Sequence, residues 1–202
     1  MLYGDVPLIK QSTLLELIEA AEHDHAVSIL SFISETPTGY GRIIRDLSDN
    51  VTAIIEEKDA SARIRAINEC NSGILLIKGS EYKALLLQLD ANNHQQEYYL
   101  TDVVKHAVAK NQTVVAVICE NESEVLGVNN QQQLAHIEQL YREQKAAQLM
   151  IQGVKLSDPQ RIDVRGNLSV GSDVTIDVNC IFIGEVELGN DCLLYTSPSP
   201  RD

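Results

Sequence analysis

Asp5 closes the apolar start of Tyr3-Gly4-Asp5-Val6-Pro7, the kind of position at which an α/β sheet presents ligand-binding groups. A carboxylate there serves as a hard-cation ligand or, equally, as a turn or helix cap. Asn129, in Gly127-Val128-Asn129-Asn130, offers a neutral amide oxygen that Mg²⁺ accepts alongside waters and phosphates; its simplest role is again a cap. Pro37-Thr38-Gly39-Tyr40-Gly41-Arg42 brackets an aromatic with two glycines, which permits either close backbone approach to a ligand or a plain tight turn. Glu56, in Glu56-Glu57-Lys58-Asp59-Ala60, is a carboxylate able to accept paired hydrogen bonds from sugar hydroxyls, or part of a solvated charge run. Asn71-Ser72-Gly73 precedes an apolar run, and Tyr98-Tyr99-Leu100-Thr101-Asp102 leads into a helix. Thr101 is a plain N-cap or the edge of an anion-favouring helix start.

These residues need a scaffold, and up to about residue 120 the chain alternates β-rich runs with helical stretches, the pattern of an α/β architecture. Thr13-x-x-Glu16 reads as a capping box for a helix over 12–21. Strands are expected at 26–33, 73–77 and 114–119, the last two as buried strands, with a hairpin of 42–45 and 51–56 about Ser48-Asp49-Asn50. Met1 to Asp5 reads as the end of another buried strand. Helices are expected over 80–89 and 101–110. From Asn130 to Ile151 a run without Gly or Pro carries Leu134, Ile137, Leu140 and Tyr141 on one stripe, and at 1.5 Å per residue it makes a connecting helix roughly 30 Å long. Gly153 and Asp158-Pro159 mark its end.

The clearest periodicity follows. Ile162, Leu168, Val174, Cys180 and Val186 recur every six residues, and Val164, Val170, Ile176, Phe182 and Leu188 repeat two residues later. This is the hexapeptide signature of a parallel β-helix. Three hexapeptides make one triangular coil, so 162–191 supplies fewer than two. The string from Leu193 to Asp202 breaks the period. It resembles the translation of a sequencing-library adapter, beginning near Cys192, and is set aside from the fold.

Composition limits the function classes. Lys plus Arg number 16 against 29 Asp plus Glu, a formal charge of -13, and no basic cluster offers a nucleic-acid face. Apolar runs such as Val114 to Cys119 are far shorter than the roughly 20 residues that span a bilayer. The cysteines at 70, 119, 180 and 192 form no C-x-x-C pair, and they are expected to be buried free thiols in a cytoplasmic protein. The histidines at 23, 25, 94, 106 and 136 are expected at the surface.

Taken together and in order, the motifs resemble one family, the bifunctional bacterial enzymes that make UDP-N-acetylglucosamine. These combine an N-acetylglucosamine-1-phosphate uridylyltransferase with a glucosamine-1-phosphate N-acetyltransferase. The matching strings are L-Y-G-D-V-P-L at 2–8, P-T-G-Y-G-R at 37–42, E-E-K-D-A at 56–60, N-S-G at 71–73, E-Y-Y-L-T-D at 97–102 and G-V-N-N at 127–130. A linking helix and the onset of hexapeptides complete the resemblance.

The resemblance implies a partial Rossmann-like nucleotidyltransferase domain at 1–129, a connecting helix at 130–152 and the first coils of a left-handed parallel β-helix at 153–192. It implies Mg²⁺ on Asp5 and Asn129, with Tyr3 and Gly4 beside them in the nucleotide-sugar site. Gly41, Glu56, Asn71, Tyr99 and Thr101 would contact N-acetylglucosamine or its phosphate. The implied substrates are UTP and N-acetylglucosamine 1-phosphate, the product UDP-N-acetylglucosamine, with acetyl-CoA used only by the complete parent, a homotrimer. The family's glycine-rich triphosphate loop and its catalytic His in the β-helix have no counterpart in the sequence, so the chain is expected to be a fragment lacking both ends and inactive in uridylyl transfer. Two rivals are another sugar-1-phosphate nucleotidyltransferase and a non-catalytic module that binds a nucleotide sugar or oligomerises.

Overall fold

The computed structural model describes residues 2–21 and 25–195, in two compact units, Met1–Val128 and Asn129–Asp202. Among the described residues, no helix is long and apolar enough to cross a membrane.

The first unit holds a five-stranded sheet in the order β3-β2-β4-β1-β5. Its strands are β1 (Val27–Ile33), β2 (Arg42–Arg45), β3 (Val51–Ile55), β4 (Glu69–Ile77) and β5 (Val114–Cys119). β1 reads as an unbroken apolar-rich run because it is buried on both faces. Val27 and Ile29 face a core closed by Leu85 of helix α3 (Gly79–Leu86) and by Val103, Val104 and Ala107 of α4 (Asp102–Ala109). Leu30 and Phe32 face a second core with Leu17 of α1 (Gln11–Ala21), Cys70 and Cys119. Burial pushes the Cys70 thiol up to about 11, so it packs as an uncharged apolar group.

Several expectations change here. Only the β1/β5 pair is parallel, whereas β1/β4, β2/β3 and β2/β4 are antiparallel, so the described sheet of this α/β unit is mixed. β5 occupies an edge and is mostly half-buried, not enclosed. Leu2 to Asp5 forms a loop and turn with exposed side chains, since no strand among the described residues pairs with it. Thr13 is no cap, because the helix begins at Gln11 and the buried Thr13 hydroxyl donates to Glu124 at 2.6 Å. Lys10 donates to the same carboxylate at 2.7 Å. His25 and His106 are half-buried, with Nδ1 and Nε2 respectively enclosed and without partners among the described residues, while His94 and His136 are exposed. His23 lies outside the described residues. A short helix, α2 (Ala62–Arg65), capped by Ser61, and a 3-10 turn at Glu122–Val125 were not expected.

β4 also starts four residues before the expected Gly73, and it contains a bulge. The register steps from Ile29↔Leu75 to Ser31↔Asn71, so that Ser72, Gly73 and Ile74 of β4 face Leu30 alone. Its carbonyl accepts a hydrogen bond from the Ser72 hydroxyl at 2.6 Å, and Gly73 supplies the left-handed φ of +84° that the bulge requires. A polar Asn-Ser-Gly triplet in mid-strand is thereby accommodated.

The second unit opens with α5 (Gln131–Ile151), N-capped by Asn130, whose side chain accepts from Gln133 N–H. Its end is a Schellman closure: Gly153 N–H donates to Met150 O and Val154 N–H to Leu149 O, both at 3.0 Å, with Gly153 at φ +91°. Ile137, Ala146 and Leu149 are its buried residues, so burial continues well past the stripe read from Leu134 to Tyr141.

Beyond α5 lie β6 (Lys155–Leu156), β7 (Ile162–Val170), β8 (Thr175–Ile176), β9 (Cys180–Leu188) and β10 (Leu193–Leu194). All their pairings are parallel, and β7 stacks on β9 from Ile162↔Cys180 to Val170↔Leu188. That offset of eighteen is three hexapeptides. Both aliphatic series share one core with Ala146 and Leu149. Corner residues Asp173, Asn179 and Asp191 adopt left-handed φ near +60° in phase with the repeat, and between coils Asn167 donates to Glu185 at 2.7 Å. Cys180 and Cys192 are half-buried rather than enclosed. The ladder also passes the expected limit at 192: Leu193↔Thr175 and Leu194↔Ile176 continue it, and Cys192 and Leu194 remain in phase. Residues 196–202 of the supposed adapter string lie outside the described residues.

Candidate functional site

A cleft of about 400 Å³ opens on the first unit, and six of the expected ligand residues, Tyr3, Gly41, Glu56, Asn71, Tyr99 and Thr101, line it. They come from five separated strings, four of them brought together by β2, β3 and β4 lying side by side with the approach to α4. Glu56 follows β3, and its Oε1 accepts the Thr101 hydroxyl at 2.9 Å. Gly41 precedes β2 directly beneath: a Cβ there would sit 3.0 Å from Ile54 Cγ2 and 3.3 and 3.4 Å from the Glu56 oxygens. Gly41 is therefore a close-approach glycine, not a turn glycine.

The buried Asn71 ties the neighbouring strand to this floor through its N–H, which donates to Gly41 O at 2.8 Å. Its side-chain oxygen accepts Gly73 N–H at 3.1 Å, which turns the amide nitrogen to other partners. Tyr3 lies over Gly73, where a Cβ would meet the ring at 2.7 Å. Tyr99 accepts from Gln95 Nε2 at 2.8 Å. Burial pushes its phenol upward, and the carboxylates of Asp59 and Glu56 add to that shift. The Tyr99 segment is pinned to the Glu56 segment by His94 N–H donating to Asp59 at 2.9 Å and by a Lys58–Gln95 contact.

The helix start behind Thr101 differs from expectation. Thr101 makes no side-chain cap, and the N–H groups of Asp102, Val103 and Val104 already donate to Tyr99, Leu100 and Thr101 carbonyls. The first turn thus has few amides left for an anion. The cleft instead presents a carboxylate, hydroxyls and an amide over aromatic rings, a lining suited to a neutral polyhydroxylated ligand.

Gly4 and Asp5 lie on an exposed turn and do not line the cleft. The Asp5 carbonyl accepts from Val128 N–H at 2.9 Å. Asn129 begins the second unit, exposed, with its N–H donating to Gln133 Oε1 at 2.7 Å; capping falls to Asn130. No group of three or more His, Cys, Asp or Glu suited to a metal occurs among the described residues. Asp5 offers a carboxylate oxygen and Asn129 an amide oxygen, both donor types that Mg²⁺ accepts alongside water and phosphate. Sequence reading passed over Gly73, whose position inside N-S-G was the available signal, and Arg42 with Glu57, adjacent to two chosen residues.

No family model matches the chain. Pairwise comparison with curated proteins finds strong similarity over most of the chain. The relatives are each named Bifunctional protein GlmU. That of Idiomarina loihiensis is 47% identical over 190 residues, 94% of this chain and 41% of its own length. That of Marinomonas sp. is 50% identical over 188 residues, 93% of this chain and 41% of its own, and that of Psychrobacter sp. is 46% identical over all 202 residues, 44% of its own. The chain is similar to these proteins and spans less than half the length of each.

Proposed function

We propose that the chain is part of an Mg²⁺-dependent uridylyltransferase that makes UDP-N-acetylglucosamine from UTP and N-acetylglucosamine 1-phosphate. The wider protein also acetylates glucosamine 1-phosphate from acetyl-CoA. The observation that carries this reading is the meeting of Tyr3, Gly41, Glu56, Asn71, Tyr99 and Thr101 in one cleft. In the reaction a sugar-phosphate oxygen bonds to the α-phosphorus of UTP as the bond to pyrophosphate breaks, a displacement served by positioning and charge neutralisation. Mg²⁺, for which the resemblance implies Asp5 and Asn129 as ligands, would supply that neutralisation. Glu56 and Asn71 orient the sugar. The eighteen-residue register supports reading the second unit as the opening coils of a left-handed β-helix, which in a cytoplasmic parent would form the trimer.

The test is titration of the 202-residue chain with N-acetylglucosamine 1-phosphate and UDP-N-acetylglucosamine, beside an assay of pyrophosphate release. Saturable binding is expected, weakened about tenfold or more in Glu56→Ala through loss of a charged hydrogen-bond acceptor. Turnover is expected to be negligible, since the triphosphate-cradling loop of the family is not among these 202 residues. Absence of binding to either ligand overturns the reading. Preference for glucose 1-phosphate transfers it to another sugar-1-phosphate nucleotidyltransferase.

A further inference from the structure

Beneath the cleft floor, Arg42 is a fully buried guanidinium, 1% exposed. It donates to Glu57 at 2.7 Å, to the Arg65 carbonyl at 3.3 Å and to the Tyr40 carbonyl, while its Nε has no partner among the described residues. A buried charge with an unfilled donor is costly unless its remaining bonds are well made. The expense falls at a telling place, because Arg42 follows Gly41 and Glu57 follows Glu56. The ion pair therefore joins the two segments whose preceding residues form the cleft floor, and the β2/β3 ladder pairs Arg42 with Ile55 just ahead of Glu56.

We propose that the Arg42–Glu57 pair is a positioning pair that holds the Glu56 carboxylate over Gly41 and within reach of Thr101, and so sets recognition of the sugar. The inference rests on the cleft being a sugar site. Arg42 acts through its neighbours and touches no ligand. On β2 the Arg45–Glu69 ion pair, 2.8 Å, offers the contrast, for Arg45 and Glu69 do not line the cleft.

The experiment compares Arg42→Met, Arg42→Lys, Glu57→Gln and Arg45→Met in the 202-residue chain. Amide NMR of Gly41, Glu56 and Thr101 is read without ligand, and affinity for N-acetylglucosamine 1-phosphate against glucose 1-phosphate is read with it. Arg42→Met and Glu57→Gln are expected to shift the three cleft amides and to reduce discrimination between the two sugars by about tenfold. Arg42→Lys should recover part of both, and Arg45→Met should lower thermal stability while leaving the cleft amides in place. Unmoved amides in folded Arg42→Met and Glu57→Gln overturn the positioning role, as does equal loss in Arg45→Met. Unfolding of both Arg42→Met and Glu57→Gln makes the pair a stability element and overturns it too. If the unaltered chain binds no sugar phosphate, the sugar-site reading fails, yet the ligand-free NMR still decides whether the pair orders the floor.

Discussion

The two units solve the same burial problem in opposite ways. In the first, most neighbours in the sheet are distant in sequence, the β2/β3 hairpin apart, and the cleft draws on positions from Tyr3 to Thr101. In the second, the β7/β9 and β8/β10 contacts recur at an offset of eighteen residues, from Ile162↔Cys180 to Thr175↔Leu193, while β6 meets β8 at an offset of twenty. An irregular sheet with a bulge makes a site, because only irregularity brings unlike groups together. A regular stack makes a uniform support, and its damage is local and predictable.

That contrast breaks most sharply at Gly166. A Cβ there would lie 2.2 Å from the Gly184 carbonyl of the next coil, so Gly166→Val is expected to destabilise the second unit by on the order of 3 kcal/mol. Urea unfolding followed by circular dichroism measures it, with Gly189→Ala, which meets nothing within 4 Å, as the near-neutral comparison. Should the two cost the same, the stacking account fails.

Gly73→Ala tests the bulge in the first unit. Its φ of +84° and the Tyr3 ring at 2.7 Å predict a loss of about 1–2 kcal/mol together with displacement of Tyr3. Tyrosine ring resonances report the displacement, and an unmoved Tyr3 refutes it.

A smaller, pH-dependent effect is expected at Glu124. Burial opposes its ionisation, but hydrogen bonds from Lys10 and Thr13 outweigh that and hold its carboxyl below the ordinary 4.5. Because the folded value is the lower one, the stabilisation is complete above 4.5 and disappears as pH falls through the folded value. Unfolding free energies of the chain and of Glu124→Gln should therefore differ at neutral pH and converge in acid. The least effect belongs to Asn167→Ala, which removes one exposed inter-coil hydrogen bond and should cost about 0.5 kcal/mol in the same urea experiment.

Legibility in the sequence follows the same division. The hexapeptide phase translates directly into register, since a period of six in the chain becomes an offset of three periods in space; even Leu194, beyond the expected limit at 192, keeps the phase. In the first unit, β1 and the Arg42–Arg45 hairpin strand were readable from apolar runs and turn residues. The bulge was not, because Ser72 serves a carbonyl that only the β1 pairing leaves exposed. Thr13 and Glu16 have the spacing of a capping box, but Thr13 is claimed by a glutamate more than a hundred positions away. Cleft residues were legible as motifs, whereas Arg42 and Glu57 acquire meaning only from the strand pairing that sets them beneath Gly41 and Glu56.

The eighteen-residue register also dictates how such a unit can change its length. A tandem duplication of one full coil would slide into the stack and meet neighbours identical to those it left, so growth by copying is nearly frictionless. A single inserted residue within β7 would turn every later aliphatic side chain toward water and every corner residue onto a face. The stack from β7 onward can thus be lengthened like a screw thread, in whole turns.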